Sequence, residues 1–262
     1  MNIRILGCHG SNALLEYATG PHTCGTCSFL LNGTLLLDAG TVASRLSLSE
    51  QKQIRHIILS HLHFDHIKGL PTLADNLSEE MSTPIVVAAI PEVVHGLQRH
   101  IFNTDVYPDF FSIPTPERPT LTSSYLKPGN VYSFSGVDIR PILVNHTVPT
   151  TGFIVQDRSS AFVYSGDTYS TDELWYEARR IPHLKTAFIE CSFPNSMIEL
   201  ARMSKHLTPA LLAQEFGKLD RDDIAVYPYH LKPVYKDQIL HELRELHIPG
   251  LTGLEEDQTF TI

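Results

Sequence analysis

The chain has 262 residues, enough for one large domain with a sizeable core. Hydrophobic residues make up 42% and charged residues 19%, proportions that exclude disordered, collagen-like and coiled-coil chains. A net charge of −9 argues against a protein that lives on long nucleic acid, because phosphate backbones need clustered Lys and Arg. Fourteen histidines in a chain with one tryptophan are the compositional oddity.

Taken in chain order, strand patterns come first at Ile3–Leu6, Ser28–Leu31 and Leu35–Leu37, with a tight turn at Asn32-Gly33. Cys24-Gly25-Thr26-Cys27 lacks the second cysteine pair of a zinc ribbon and runs into a strand, so it reads as two small buried thiols. Met1–Leu6 is too short for the apolar core of an export signal, and cysteines are sparse, so reduced thiols and a cytoplasmic location are expected. Ile54–Ser60 reads as a buried strand and Gly69–Leu77 as a short helix. Ile85–Ile90, between two prolines, is the longest apolar run and falls far short of the roughly 20 residues of a membrane span. Pro91–Ile101 follows as a helix opened by proline.

Residues 102–130 form a loop insertion rich in proline and aromatic side chains, which predicts a lid, a binding loop or a subunit contact. Beyond it, strands are expected at Val131–Phe134, Val137–Leu143, Gly152–Gln156, Ala161–Tyr164, Ala187–Glu190 and Ile224–Tyr227. Helices are expected at Thr171–Arg180, capped by Ser170 or Thr171, and at Pro209–Leu219 and Pro233–Leu246. Two similar halves, each mixing strands and helices, predict two sheets face to face with helices outside, a four-layer αββα sandwich of the α/β class.

The chemistry is concentrated in Ser60-His61-Leu62-His63-Phe64-Asp65-His66, directly after a buried strand. Alternate residues of an extended chain point the same way, so His61 and His63 can hold one cation. Asp65 and His66 follow where the chain turns, which swings them toward a neighbouring position.

This H-x-H-x-D-H pattern resembles the metallo-β-lactamase fold superfamily, and the rest of the chain supplies matching motifs in order. The resemblance implies one hydrolase domain over residues 1–262 and two divalent ions, zinc first, with manganese or iron as alternatives. It implies His61, His63 and His146 on one ion, Asp65, His66 and His230 on the other, and Asp167 between them. Leu36-Leu37-Asp38-Ala39-Gly40 resembles the superfamily's structural aspartate motif. Two ions that share a water lower its pKa toward neutrality, which gives a bridging hydroxide as nucleophile.

Further segments resemble class II 3′,5′-cyclic-nucleotide phosphodiesterases. They are the stretch from His100-Ile101-Phe102-Asn103 to Tyr107-Pro108-Asp109-Phe110, then Ile189-Glu190-Cys191-Ser192-Phe193, His206-Leu207-Thr208-Pro209 and His230-Leu231-Lys232-Pro233. Phe64 departs from that signature, which carries leucine there, and Pro71, Thr72 and Asp75 depart from its apolar run. The resemblance implies hydrolysis of a small cyclic nucleotide such as cyclic AMP or cyclic GMP to the 5′-monophosphate and a homodimer, while net charge and the short apolar runs predict no long nucleic acid or membrane as partner. Asp65, His206 and Glu190 are the catalytic candidates. His206 is either the general acid, oriented by Glu190, or a capping residue before Thr208-Pro209. Phe102, Asn103, Tyr107 and Phe110 either contact the base or pack the loop. Thr150 either touches phosphate or makes a strand turn, and His9 is a candidate to line the site. A tRNA 3′-end ribonuclease of the same fold, and a metal- or nucleotide-binding protein without catalysis, are the alternatives.

Overall fold

Period-two alternation along buried strands sets the architecture. Leu35 and Leu37 join one apolar cluster while Leu36 joins another on the opposite face. Phe188 points inward in the same way, while Ala187 and Ile189 point outward. Strands that are apolar on both faces must be covered on both faces. The computed structural model describes residues 1–262 except Thr19 and Met81.

One sheet has seven strands, in the spatial order Leu121–Tyr125, Ile85–Ala89, His56–Ile58, Leu35–Leu37, Ser28–Leu31, Asn2–Gly7 and Thr259–Thr261. The other has six, in the order Tyr132–Phe134, Val137–Leu143, Thr151–Gln156, Ala161–Tyr164, Leu184–Glu190 and Ala225–Tyr229. Ile3, Phe29, Leu37 and Ile58 of the first sheet share a core with Phe153, Phe162, Tyr164, Phe188 and Tyr229 of the second. A second core lies outside the first sheet, under the helices Gly69–Leu77 and Pro91–His100. A third lies outside the second sheet, under Glu173–Ala178, Pro209–Gly217 and Lys236–Glu245. These are the four layers of an αββα sandwich. Among the described residues no helix is long and apolar enough to cross a membrane.

The structure corrects the sequence reading in several places. Leu121–Tyr125, read as loop, is an edge strand parallel to Ile85–Ala89. The helix expected from Thr171 begins at Glu173, and neither Ser170 nor Thr171 caps it. Instead Glu215 accepts from the Thr171 amide at 3.0 Å and from Trp175 Nε1 at 2.7 Å. The segment from Pro233 opens as a 3₁₀ turn before the helix Lys236–Glu245. All four cysteines are buried free thiols, as Cys24-Gly25-Thr26-Cys27 suggested for its own pair.

Phe29 is the hub of the central core, with edge-on rings of Phe188 at 5.0 Å, Tyr164 at 5.3 Å and Tyr229 at 5.8 Å. Phe29→Ala removes a fully buried ring that both sheets contact. It is expected to lower stability by about 3–5 kcal/mol, read from the shift in urea midpoint at unchanged m-value.

Candidate metal centre

The site lies where strands of both sheets end. His61 follows the strand His56–Ile58, and the amide of Thr151, opening a strand of the other sheet, donates to the carbonyl of Ser60 at 3.0 Å. Asp65 and His66 sit in the short helix Phe64–Ile67. His146 follows Val137–Leu143, Asp167 follows Ala161–Tyr164, and His230 follows Ala225–Tyr229.

The donor atoms converge. His146 Nε2 faces His63 Nδ1 at 3.1 Å. Asp167 Oδ2 stands 3.6 Å from His61 Nε2, 3.4 Å from His66 Nε2 and 3.2 Å from His230 Nε2. Asp65 Oδ2 is 3.2 Å from His230 Nε2. Ligands bound at about 2.0–2.1 Å in a tetrahedral shell stand about 3.3–3.4 Å apart, so these separations suit donors that face a shared cation. Donor atoms of His61, His63, His146 and Asp167 all lie within 4.8 Å of one another. Asp167 belongs to both halves of the cluster.

Four of the five cluster imidazoles are oriented through their other nitrogen. His61 Nδ1 pairs with Ser60 Oγ at 2.9 Å, His146 Nδ1 donates to the Lys205 carbonyl at 3.1 Å, and His230 Nδ1 meets Ser192 Oγ at 2.8 Å. His66 Nδ1 donates to Asp38 Oδ2 at 2.8 Å. Asp38 is fully buried and also accepts from the Ser60 amide, the Ser60 hydroxyl and the Tyr164 hydroxyl. The Nε2 atoms of His61 and His66 and Oδ1 of Asp167 are buried with no hydrogen-bond partner. Buried lone pairs of this kind are costly unless a cation takes them, so the donor set fits divalent metal.

Titration follows the same division. Burial pushes His61 well below the ordinary imidazole value, with His66 adding to the effect, and it lowers His63. Burial takes His146 down to about 4. For Asp167 and Asp65 burial acts upward, but the neighbouring histidines outweigh it and hold both carboxylates below the ordinary range. His66 goes the other way: burial acts downward, and Asp167 and Asp38 on either side overcome it and raise it.

Close packing fixes the backbone. A Cβ on Gly40 would lie 2.0 Å from the Asp65 carbonyl, and one on Gly10 would lie 2.8 Å from the His230 ring. Asp38 and His230 both hold left-handed backbone, at φ +55° and +63°. Such strain survives where surrounding bonds over-determine it.

His206 and Glu190 adjoin the cluster. His206 Nδ1 is 2.8 Å from Glu190 Oε1, and its ring lies 5.0 Å from that of His146 and stacks on His230 at 5.2 Å. Glu190 also accepts from the amides of Thr168 and Leu207. Ser192 touches Glu190, His206 and His230 together and was missed from sequence. Its signal was available: it stands two residues after Glu190, past the same strand end.

The proposed base contacts are not at the site, and the proposed phosphate contact, Thr150, lies at its edge with its hydroxyl already engaged. The helix Pro91–His100 starts at the metal end of the sheet and runs back, and the Ile85 amide at the far end bonds the Thr120 carbonyl. Residues 102–120 therefore sit at the end opposite the histidines. Phe102 and Phe110 are buried in the outer core, and Tyr107 packs against it. Asn103 is spent on loop backbone, accepting from the Asp105 and Val106 amides. Thr150 is buried and its hydroxyl closes its own turn on the Val148 carbonyl at 2.9 Å. His9 turns to Glu256, 2.7 Å away. An apolar cavity of about 640 Å³ lined by Ile90, Glu92, Tyr125, Leu126, Leu143 and Pro149, none of them a residue of the cluster, opens at the same end of the sheets, and a second of about 430 Å³ is lined by Gly40 and by Phe64 of the histidine motif.

The model of the β-lactamase superfamily domain matches residues 34–230. The chain belongs to that superfamily. Among relatives, 3′,5′-cyclic-nucleotide phosphodiesterase 1 of Saccharomyces cerevisiae is 30% identical over 188 residues, 62% of this chain and 50% of the yeast protein. A probable 3′,5′-cyclic-nucleotide phosphodiesterase of Yersinia pestis is 23% identical over 79% of this chain and 67% of its own. Ribonuclease Z of Treponema denticola is 30% identical over 47% of this chain and 38% of its own. The match thus spans half or less of the yeast and Treponema proteins. The crystal structure of unliganded yeast PDE1 superposes with a TM-score of 0.81 at 22% identity and covers 98% of both chains, which shows the same fold.

Asp38→Asn keeps the size of the side chain but removes its charge beside His66. It is expected to weaken metal retention about 10–100-fold, measured by metal analysis after graded chelator dialysis, with the far-UV spectrum unchanged.

Proposed function

We propose that this superfamily member is a metal-dependent phosphodiesterase that opens a 3′,5′-cyclic nucleotide to its 5′-monophosphate. The buried Glu190–His206 pair beside the histidine cluster carries the phosphodiester-cleavage part of this reading. The cyclic-nucleotide phosphodiesterases among the relatives support it. His61, His63 and His146 would hold one divalent ion, and Asp65, His66 and His230 a second, with Asp167 facing both. Bound there, divalent cations supply Lewis acidity for phosphate oxygens and for water.

The chain's own residues then divide the remaining work. A cyclic diester loses an alkoxide, a poor leaving group unless protonated. His206 Nδ1 is held by Glu190, which leaves Nε2 to carry the proton for the departing 3′-oxygen. Burial acts to lower His206, but the Glu190 carboxylate outweighs it and raises the imidazole above its ordinary value. His206 thus stays protonated nearer to neutral pH, as a general acid requires. The apolar cavity with half-exposed Tyr125 on its wall is suited to a nucleobase, whose face stacks on an aromatic ring. It replaces the 102–120 loop as the proposed base contact.

A ribonuclease Z activity on tRNA 3′ ends is the second reading, favoured by the Treponema relative. The net charge of −9 opposes a polymeric anion as substrate. Assays of the metal-loaded protein on cyclic AMP, cyclic GMP and a precursor tRNA separate the two. Turnover of a cyclic nucleotide is expected; cleavage of the tRNA with neither cyclic nucleotide turned over would sink the reading.

Three variants probe the roles. His206→Ala is expected to lower kcat about 10²–10⁴-fold with metal content unchanged. Glu190→Gln removes the charge that raises His206, so the alkaline limb of the kcat–pH profile should move to lower pH. Tyr125→Ala should raise KM and leave kcat nearly unchanged, the pattern of lost uniform binding.

A further inference from the structure

A second group of metal-type side chains stands apart from the histidine cluster. It draws on distant parts of the chain: His9 after the first strand, His22 and Cys24 in the ribbon strand Gly20–Cys24, and Glu256 near the C-terminus. Donor atoms of His9, His22 and Cys24 lie within 4.8 Å of one another; Glu256 meets that triad at His9 and His22, and forms a second triad with Cys8 and His9. The Glu256 side chain is only 4% exposed. One of its oxygens is engaged, accepting from the Gly25 amide at 2.8 Å and facing His9 Nδ1 at 2.7 Å. The other, Oε2, is buried without a hydrogen-bond partner, 3.3 Å from His22 Nε2. That separation is the edge length of a tetrahedral site with bonds of about 2.0–2.1 Å, the same spacing seen between His66 and Asp167.

From this geometry we propose that His9, His22, Cys24 and Glu256 form a structural zinc site separate from the catalytic cleft. Two imidazoles, one thiolate and one carboxylate are a borderline-soft set that suits zinc and, with four protein ligands, a closed shell. Access comes from the solvent side, where an open depression of about 380 Å³ is lined by Tyr17, Pro21, His22 and Lys236. Lys236 Nζ now lies 3.3 Å from His22 Nε2, so that nitrogen presents its lone pair to a cation. The long, half-exposed lysine turns out to solvent when zinc takes that place. The Cys24 thiol is held above its ordinary value by burial and by Glu256, so zinc entry releases its proton. The ion would clasp the ribbon and the C-terminal segment to the loop that carries Gly10, which packs on His230.

Cobalt substitution tests this directly, because a thiolate ligand gives Co(II) a sulfur-to-metal charge-transfer band that imidazole and carboxylate ligands do not. The background is a His146→Ala/Asp167→Ala variant, in which the catalytic cluster is crippled. That protein is expected to bind about one cobalt ion per chain with the band, and zinc should displace it. Cys24→Ser should abolish the band, while Cys27→Ser, which alters the thiol nearest His66, should leave it. His22→Ala, at a partly exposed position that folding tolerates, should weaken binding at least tenfold with Cys24 intact. Absence of the band, or its survival in Cys24→Ser, overturns the proposal. Because the readout is spectroscopic, failure of the phosphodiesterase reading would not affect it.

Discussion

The Asp38 carboxylate is the point on which the site's geometry depends. It is buried at the end of a three-residue strand, in a backbone conformation that L-residues disfavour. It accepts from Ser60 twice, from His66, and from Tyr164 of the opposite sheet. One charged group thereby fixes the end of the strand that leads to His61, orients His66 and ties the two sheets together. A buried carboxylate is tolerable only when its oxygens are satisfied, so none of these partners is free to move independently. Gly40, two residues on, lets the chain pass against the Asp65 carbonyl. The position of the histidine cluster is therefore a consequence of how one anion is solvated inside the sandwich.

The strand ends that build the cluster were legible because their signal is local. His61 and His63 are two residues apart after an apolar run, and each later histidine or aspartate follows a strand that alternation makes visible. The aromatic segment was not legible in the same way. Phe102, Asn103, Tyr107 and Phe110 are residues that suit a nucleobase, but they equally suit a core. What decides is the direction of the preceding helix, which carries the chain away from the site before the aromatics begin. Composition has no access to that. Leu121–Tyr125 was hidden for a related reason. An edge strand needs only one covered face, and Thr122, Ser123 and Ser124 give it no apolar alternation against a background of prolines.

The same rule of side-chain context explains why Ser192 escaped notice. A serine carries no metal or acid-base signature of its own. Its importance lies in its three partners, Glu190, His206 and His230, which arrive from separate elements. It links the metal-facing side of the site to the Glu190–His206 pair, so the two are not independent modules. Displacement of either ring would disturb the other through one hydroxyl.

His146 and His206 show how one residue type is divided between two kinds of work. Their rings are 5.0 Å apart and both are largely buried, so desolvation alone would make both poor bases. The nitrogen that faces away from the cluster makes the difference. His146 donates it to a neutral carbonyl, that of Lys205, and burial takes the ring down to about 4. His206 places it on the Glu190 carboxylate, which overcomes burial and raises the ring above its ordinary value. At neutral pH the first keeps a lone pair for a cation, while the second gains a partner that stabilises its protonated form. On the proposed reading this separation assigns ligand and acid without any difference in the side chains themselves. A hydrogen-bond partner on the far nitrogen thus does for histidine what a change of residue would do elsewhere. It also explains why the Glu190 position matters as much as His206, although Glu190 need not touch the substrate.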